Sequence, residues 1–179
     1  MAKQVNSTYG DALFQLAVEE NQVDLVLEEL NGLMQVLDEN DEMIRFLTHP
    51  EVVKEDKLKF LTDVFQGKLS DAVMGTLMII VKNDRSSELK SVLGYVIGRI
   101  KEYKKIGIAY VTSAVELTAK QKAKTEERLL ETTAYESMEM HYKVDASVIG
   151  GVIIRIEDRV IDSSIKRQLE RMSSMLSQG

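Results

Sequence analysis

The sequence predicts an α+β fold, in which an N-terminal all-α six-helix bundle is followed by a small C-terminal α/β domain. The 179 residues include a single Pro, a residue that long helices exclude. Apolar residues recur at steps of three and four from Tyr9 to about Tyr103, which is the helical period. From Ile106 onward the pattern changes to alternating β-branched residues, which is typical of strands. We therefore expect two domains, residues 1–105 and 106–179.

Six helices are predicted in the first 105 residues, each with one apolar face. In the first helix, Tyr9, Ala12, Leu13, Leu16 and Ala17 share a face because they are spaced by three and four residues. The later helices carry their apolar stripes over residues 23–37, 43–47, 53–65, 73–81 and 89–100. Short turns between these segments predict a compact bundle.

Polar and turn residues predict where these helices begin and end. The expected N-caps, whose side chains accept a hydrogen bond from the first helical turn, are Asn40-Asp41, Ser70 and either Ser86 or Ser87. His49 precedes Pro50, so one helix should end there and the next should begin at Pro50. Gly67 is typical of a helix C-terminus.

The remaining residues predict the order β-α-β-β-α. Residues 106–111 and 138–144 alternate as half-buried strands do. Between them, Thr118 and Gln121 form a capping box at the start of a polar helix. Residues 148–156 form another β-branched run, which Gly150-Gly151 interrupts with a bulge or a bend.

The chain should end in a strand fragment and one last helix. Val160-Ile161 is the strand fragment, and Asp162 is the expected cap of the helix. Its apolar face is formed by Ile165, Leu169, Met172 and Leu176.

Composition and motifs argue against most enzyme chemistry. The absence of Cys removes disulfides, thiol catalysis and cysteine-ligated metal sites. Neither His49 nor His141 has a second His at helical spacing, so nothing resembles a zinc site. We interpret His49, which precedes Pro50, as a turn residue. His141 alternates with apolar residues in a predicted strand, which favours a solvent-facing position, with an acid/base role as the alternative. The segment around Gly67-Lys68 departs from a phosphate-binding loop because Thr62 occupies the position of the leading Gly. We expect no catalytic, cofactor-binding or metal-binding residues.

Charge is distributed unevenly along a chain whose net charge is -6. Residues 11–56 contain 13 acidic and two basic side chains, whereas residues 57–105 contain five acidic and ten basic ones. The acidic first third argues against binding to nucleic acid or anionic lipid. We interpret the basic stretch as solvated helix faces, with an anion-binding patch as the alternative. Without a secretory signal or an 18-residue apolar run, the sequence predicts a soluble intracellular protein.

Methionine is abundant, with nine residues. Met74 and Met78 lie one turn apart on the fifth predicted helix. Flexible Met side chains suit an apolar groove that accepts a partner helix, and core filling is the alternative.

Five segments together carry a family resemblance. They are residues 9–17 (YGDALFQLA), 77–85 (LMIIVKNDR), 109–114 (AYVTSA), 144–156 (VDASVIGGVIIRI) and 160–164 (VIDSS). The chain resembles the delta subunit of F-type ATP synthases, whose mitochondrial relative is the oligomycin-sensitivity-conferring protein. The similarity runs over nearly the whole chain. This sequence differs from the usual family pattern at two positions. Ser163 stands where Gly is frequent in the family, and Val148 stands where Leu is common.

This resemblance implies a non-catalytic stator subunit of the proton-translocating ATP synthase. Such a subunit links the catalytic head to the b-subunit peripheral stalk and resists the torque of the rotor. The resemblance implies no cofactor, contact with the membrane only through the complex, and a position at the cytoplasmic face of a bacterial plasma membrane. The alternatives are a helical adaptor with an unrelated partner and a nucleotide-responsive regulator.

The resemblance also implies two partners and one partner-binding groove. The six-helix bundle would bind the N-terminal helix of an alpha subunit between its first and fifth helices, and the C-terminal domain would bind the C-terminal region of the b subunit. On this chain the groove residues are Tyr9, Ala12, Leu13, Leu16, Met74, Leu77, Met78 and Val81. Leu13→Asp or Leu77→Asp would then abolish binding of the alpha-subunit peptide and leave the fold mostly intact.

Overall fold

The structure is a computed structural model that describes residues 2–169. In that range, six α-helices are followed by a four-stranded sheet that has a further helix between its first two strands. The mixed α+β class predicted from the sequence is confirmed. The chain divides into two compact units, residues 1–100 and residues 101–179.

The helices that precede the sheet enclose one apolar core. They are α1 (Ala2–Glu19), α2 (Val23–Glu39), α3 (Asp41–Thr48), α4 (Lys54–Phe65), α5 (Asp71–Lys82) and α6 (Leu89–Tyr103). Leu30 of α2, Leu61 of α4 and Leu93 of α6 are among the fully buried side chains. Each such burial contributes about 1.5 to 3 kcal/mol, so the shared interior holds these helices together.

The predicted cap at Ser70 is confirmed, whereas Asn40 occupies the predicted N-cap position of α3 but makes no capping bond. Ser70 Oγ accepts a hydrogen bond from the Val73 backbone N–H at the start of α5. Asn40 stands before α3 without a capping bond from its side chain. Its Nδ2 instead donates to the Val36 carbonyl at 2.8 Å, because the end of α2 leaves that acceptor free.

Two predicted helix starts are also displaced. Pro50 lies in a turn, and α4 begins only at Lys54. Val53 is the extended residue before α4 and is 56% exposed, so it does not belong to the buried face predicted for it. Ser86 does not cap α6 but opens a 3₁₀ turn, Ser86–Glu88, that leads into the helix.

The second unit contains a sheet in the order β2-β1-β3-β4. The strands are β1 (Ile106–Ser113), β2 (Ser137–Val144), β3 (Val152–Ile156) and β4 (Arg159–Asp162). The β1 and β2 strands are parallel, so the chain crosses between them through α7 (Ala119–Thr132). The other pairs are antiparallel. The predicted capping box of Thr118 and Gln121 at the start of α7 is confirmed.

One face of this sheet is apolar. Ala109 and Val111 of β1 are fully buried there and pair with Ile156 and Ile154 of β3. Leu129 of α7 packs against the same cluster. The neighbouring residues along β1 point to the other face, where Tyr110 is exposed.

The Gly150-Gly151 pair forms a bend before β3. Val148 ends a 3₁₀ turn, Ala146–Val148, and is not part of a strand. Gly151 has φ of 80°, and a Cβ there would stand 2.3 Å from the Ser163 carbonyl oxygen. Glycine is therefore required where the chain before β3 passes the chain after β4.

The last helix begins at residue 165, and its cap differs from the predicted one. Ser164 Oγ accepts from the Arg167 N–H at 3.2 Å, so Ser164 is the cap. Asp162 accepts from the Ser164 N–H and orients that residue. Met172 and Leu176, predicted on the apolar face of this helix, lie outside the described residues.

Candidate functional site

The two helices predicted to bind a partner, α1 and α5, pack against each other. Asn83, which follows α5, donates from its Nδ2 to the Tyr9 hydroxyl at 3.0 Å. Tyr9 is thereby held beside the C-terminal end of α5. Met74 and Met78 are one turn apart on α5 and only partly buried.

Burial divides the eight predicted groove residues into two sets. Leu13, Leu77 and Val81 are at most 2% exposed and belong to the core. The other five retain solvent-accessible surface, and Leu16 is 38% exposed. We call the five the α1–α5 surface: Tyr9, Ala12, Leu16, Met74 and Met78. Of the eight, only these five have surface that a partner could contact, because the other three lie in the core.

This division changes what a substitution at the groove would do. The expectation that Leu13→Asp or Leu77→Asp leaves the fold mostly intact is inconsistent with their burial, since a carboxylate at either position would lie among apolar side chains without a partner. We expect such a variant to unfold the helical unit. Leu16 and Met78 are the positions where binding can be changed separately from folding.

The opposite edge of α1 is occupied by α6. The Tyr95 hydroxyl donates to Asp11 Oδ1 at 2.9 Å, and the Arg99 guanidinium carbon lies 5.4 Å from the centroid of the Phe14 ring. Because α6 covers this edge, the free edge of α1 is the one that carries Ala12 and Leu16. Sequence reasoning missed Tyr95 and Arg99, whose contacts are 84 and 85 residues distant along the chain.

A charged cluster lies on the second unit. Lys101 Nζ bonds to Glu139 Oε2, and Glu139 Oε1 lies 3.0 Å from His141 Nε2. The hydrogen bond from Lys101 lowers the pKa of the Glu139 carboxyl below its ordinary value, with His141 contributing in the same direction. His141 also stacks on Tyr110, with ring centroids 5.0 Å apart. His141 is exposed on its strand, as predicted.

The described residues contain neither a cluster of metal ligands nor a membrane-spanning helix. Across residues 2–169, no three or more His, Asp or Glu side chains come together as a metal ion would need. No helix in that range combines the length and apolar character needed to cross a bilayer.

Partly accessible apolar side chains on two packed helices form the type of surface on which helical binding modules take up an amphipathic helix. The chain belongs to the ATP synthase delta (OSCP) subunit family, which matches residues 5–176. It is accordingly a non-catalytic stator subunit of the F-type ATP synthase, a component of the peripheral stalk that serves ATP synthesis and hydrogen ion transport.

Bacterial relatives match almost the full length of the chain. ATP synthase subunit delta of Lachnoclostridium phytofermentans is 48% identical over 98% of this chain and 97% of its own. The corresponding protein of Desulforudis audaxviator is 34% identical over 96% of this chain and 94% of its own. That of Trichodesmium erythraeum is 31% identical over 98% and 97%.

A solved structure shares the fold. A chain of the Toxoplasma gondii mitochondrial ATP synthase hexamer superposes with a TM-score of 0.72 over 96% of each chain, at 21% sequence identity. At that identity the likeness concerns the fold alone.

Proposed function

We propose that this subunit ties the catalytic head of the ATP synthase to its stalk by holding two partners at once. The six-helix bundle, residues 1–105, would bind the N-terminal helix of the alpha subunit. Residues 106–179 would bind the C-terminal region of the b subunit. Rotor torque would otherwise turn the head, and a tie of this kind needs tight binding but no turnover.

The α1–α5 surface is the observation that carries the first half of this proposal. It offers Leu16 and two Met side chains beside Ala12, whose small side chain lets a docked helix approach closely. Apolar area buried by such a helix stabilises the complex by about 25 cal/mol per Å², of which the lost freedom of the peptide offsets a part. Family membership supports this function over the unrelated adaptor and the nucleotide-responsive regulator.

We also propose that the subunit lies at the cytoplasmic face of a bacterial plasma membrane, bound there through the complex. The near-full-length relatives at 48% and 34% identity are bacterial proteins, which supports this location.

Leu16→Asp tests the groove without removing a core side chain. We expect calorimetry to show that the variant loses affinity for the alpha-subunit N-terminal peptide, since a carboxylate would be buried against the apolar face of the peptide. Leu25→Asp is the matched control, because Leu25 lies on α2 and is 45% exposed. Equal affinity of the two variants and the unchanged protein would reject the groove assignment.

A further inference from the structure

A cavity of about 590 Å³ lies in the helical unit, where the end of α3, the start of α4 and the 3₁₀ turn before α6 come together. Cavities of this size are typical of sites that take up small molecules. The apolar part of the wall includes Pro50, Val52 and Val53, from the segment between α3 and α4. Val53 is 56% exposed, so a molecule can enter this part of the cavity from solvent.

Two polar side chains in the wall are buried without a partner. Lys57 of α4 and Ser86 of the 3₁₀ turn are each 8% exposed. Among the described residues, neither the Lys57 ammonium nor the Ser86 hydroxyl has a hydrogen-bond or ion-pair partner. Neither polar atom is completely enclosed, so both can meet a molecule inside the cavity. A largely buried cation is unfavourable without a counter-charge, and a negatively charged group beside Lys57 would supply one.

The other charges of the wall limit which anions fit. Lys54 Nζ lies 2.6 Å from Asp84 Oδ2, so these two charges neutralise each other. Glu55 adds an exposed carboxylate to the same wall. Of the cations that line the cavity, Lys57 is therefore the one that no acidic side chain neutralises. A ligand with a single negative charge matches it, whereas Glu55 and Asp84 would repel a polyanion such as a nucleotide.

The start of α4 adds positive charge beside Lys57. Val53 precedes α4 and makes no side-chain capping bond, so the N–H groups of the first turn have no capping partner. These groups carry the partial positive charge of the helix N-terminus. Lys54 and Glu55 belong to this turn and line the cavity, which places that charge at its wall.

From these features we propose that the cavity binds a small organic monocarboxylate, a ligand with one carboxylate on an apolar body. The carboxylate accepts hydrogen bonds from the Lys57 ammonium and the Ser86 hydroxyl, and the apolar body covers Val52 and Val53. One residue of the basic stretch 57–105 is thereby part of an anion-binding site, which was the alternative to solvated helix faces. The inference goes beyond the proposed function and does not rest on it.

Titration of the full chain with sodium hexanoate, followed through the backbone amide NMR signals at constant ionic strength, tests the proposal. We expect saturable shifts of the Ser86 and Ser87 signals. Lys57→Met keeps a long buried side chain but removes the charge, so it should weaken the affinity by roughly tenfold or more. Ser86→Ala removes the second donor and should also weaken it.

Lys59→Met is the matched control for the charge. Lys59 lies on α4 as well, but it is exposed and does not line the cavity. This variant should bind hexanoate as tightly as the unchanged protein does. The spectrum of each variant also reports whether it is folded. Absence of saturable shifts in the unchanged protein, or equal affinities of folded Lys57→Met and Lys59→Met, would overturn the site.

Two further probes test the class of ligand. Hexanamide has the same apolar body without the charge, so we expect it to bind more weakly than hexanoate by roughly tenfold or more. Inorganic phosphate should also bind more weakly than hexanoate, because it lacks an apolar body and Glu55 and Asp84 repel its second charge. Equal affinities for hexanoate and hexanamide would overturn recognition of the carboxylate. Tighter binding of phosphate would overturn the assignment to monocarboxylates.

Discussion

Gly10 of α1 lies against the ring of Tyr95 of α6, where a Cβ built on Gly10 would stand 2.4 Å from Tyr95 Cδ1. The ring has little freedom to move away, because its hydroxyl donates to Asp11 Oδ1 at 2.9 Å. The close approach of α1 and α6 thus depends on a glycine, and α1 is the helix that carries three of the five residues of the α1–α5 surface.

Replacing Gly10 by Ala should destabilise the helical unit. The added methyl group forces a shift that costs about 1 to 3 kcal/mol, which exceeds the roughly 1 kcal/mol that Ala gains over Gly in a helix. Gly32→Ala is the control, because a Cβ at Gly32 of α2 meets nothing within 4 Å. Urea denaturation should show a lower midpoint for Gly10→Ala and a raised one for Gly32→Ala; a raised midpoint in both would contradict the packing described.

Ser70 should contribute to stability through two bonds. Its Oγ caps α5 and also donates to Glu29 Oε2 at 2.7 Å, in a partly buried site. Ser70→Ala removes both bonds, so we expect a loss of about 1 to 2 kcal/mol in the free energy of unfolding. Ser87→Ala, at an exposed position, should change that free energy by less than about 0.5 kcal/mol. A loss of equal size in both variants would argue against the cap.

Glu139 should make stability depend on pH in the acid range. Its pKa in the folded protein is lowered, chiefly by the hydrogen bond from Lys101, below the ordinary value of 4.5. The stabilisation is therefore present above that value and is lost as the pH falls through the folded-state pKa. In Glu139→Gln and in Lys101→Met, the free energy of unfolding should fall less between about pH 7 and about pH 3. Unchanged pH dependence in both variants would refute this coupling.

Leu13 and Leu16 should respond differently to the same truncation. Leu13 is 2% exposed, so Leu13→Ala leaves a cavity and should cost about 2 to 5 kcal/mol. Leu16 is 38% exposed, and we expect Leu16→Ala to cost less than about 1 kcal/mol. Denaturant titration of both variants compares the two values. Similar losses would mean that Leu16 is part of the core and not of the α1–α5 surface.

The sequence predicted an element correctly where the signal for that element lies within a few neighbouring residues. The capping box of Thr118 and Gln121 spans four residues, and alternation along 138–144 is a property of one strand, so both were predicted correctly. The start of α4 was misplaced because Pro50 is compatible both with a first helical turn and with the turn that it occupies.

The sequence did not show which of the predicted groove residues are accessible to a partner, because the burial of a side chain depends on the whole fold. Leu13 and Leu16 belong to the same apolar stripe of α1, and spacing alone does not tell which of them faces the interior. The position of α6, fixed through Tyr95 and Asp11, determines which edge of α1 remains free. Sequence reasoning did not single out Lys124 or Arg128, and only the folded sheet shows that they line the same hollow as the apolar residues Val152 and Ile154.

Simultaneous binding tests the central claim most directly. The full chain, an alpha-subunit N-terminal peptide and the soluble portion of the b subunit are mixed, and the species are separated by size-exclusion chromatography with mass determination. We predict one species that contains all three components and that loses only the peptide when Leu16→Asp is used. Mutually exclusive binding, or failure to retain either partner, would contradict a subunit that ties the head to the stalk.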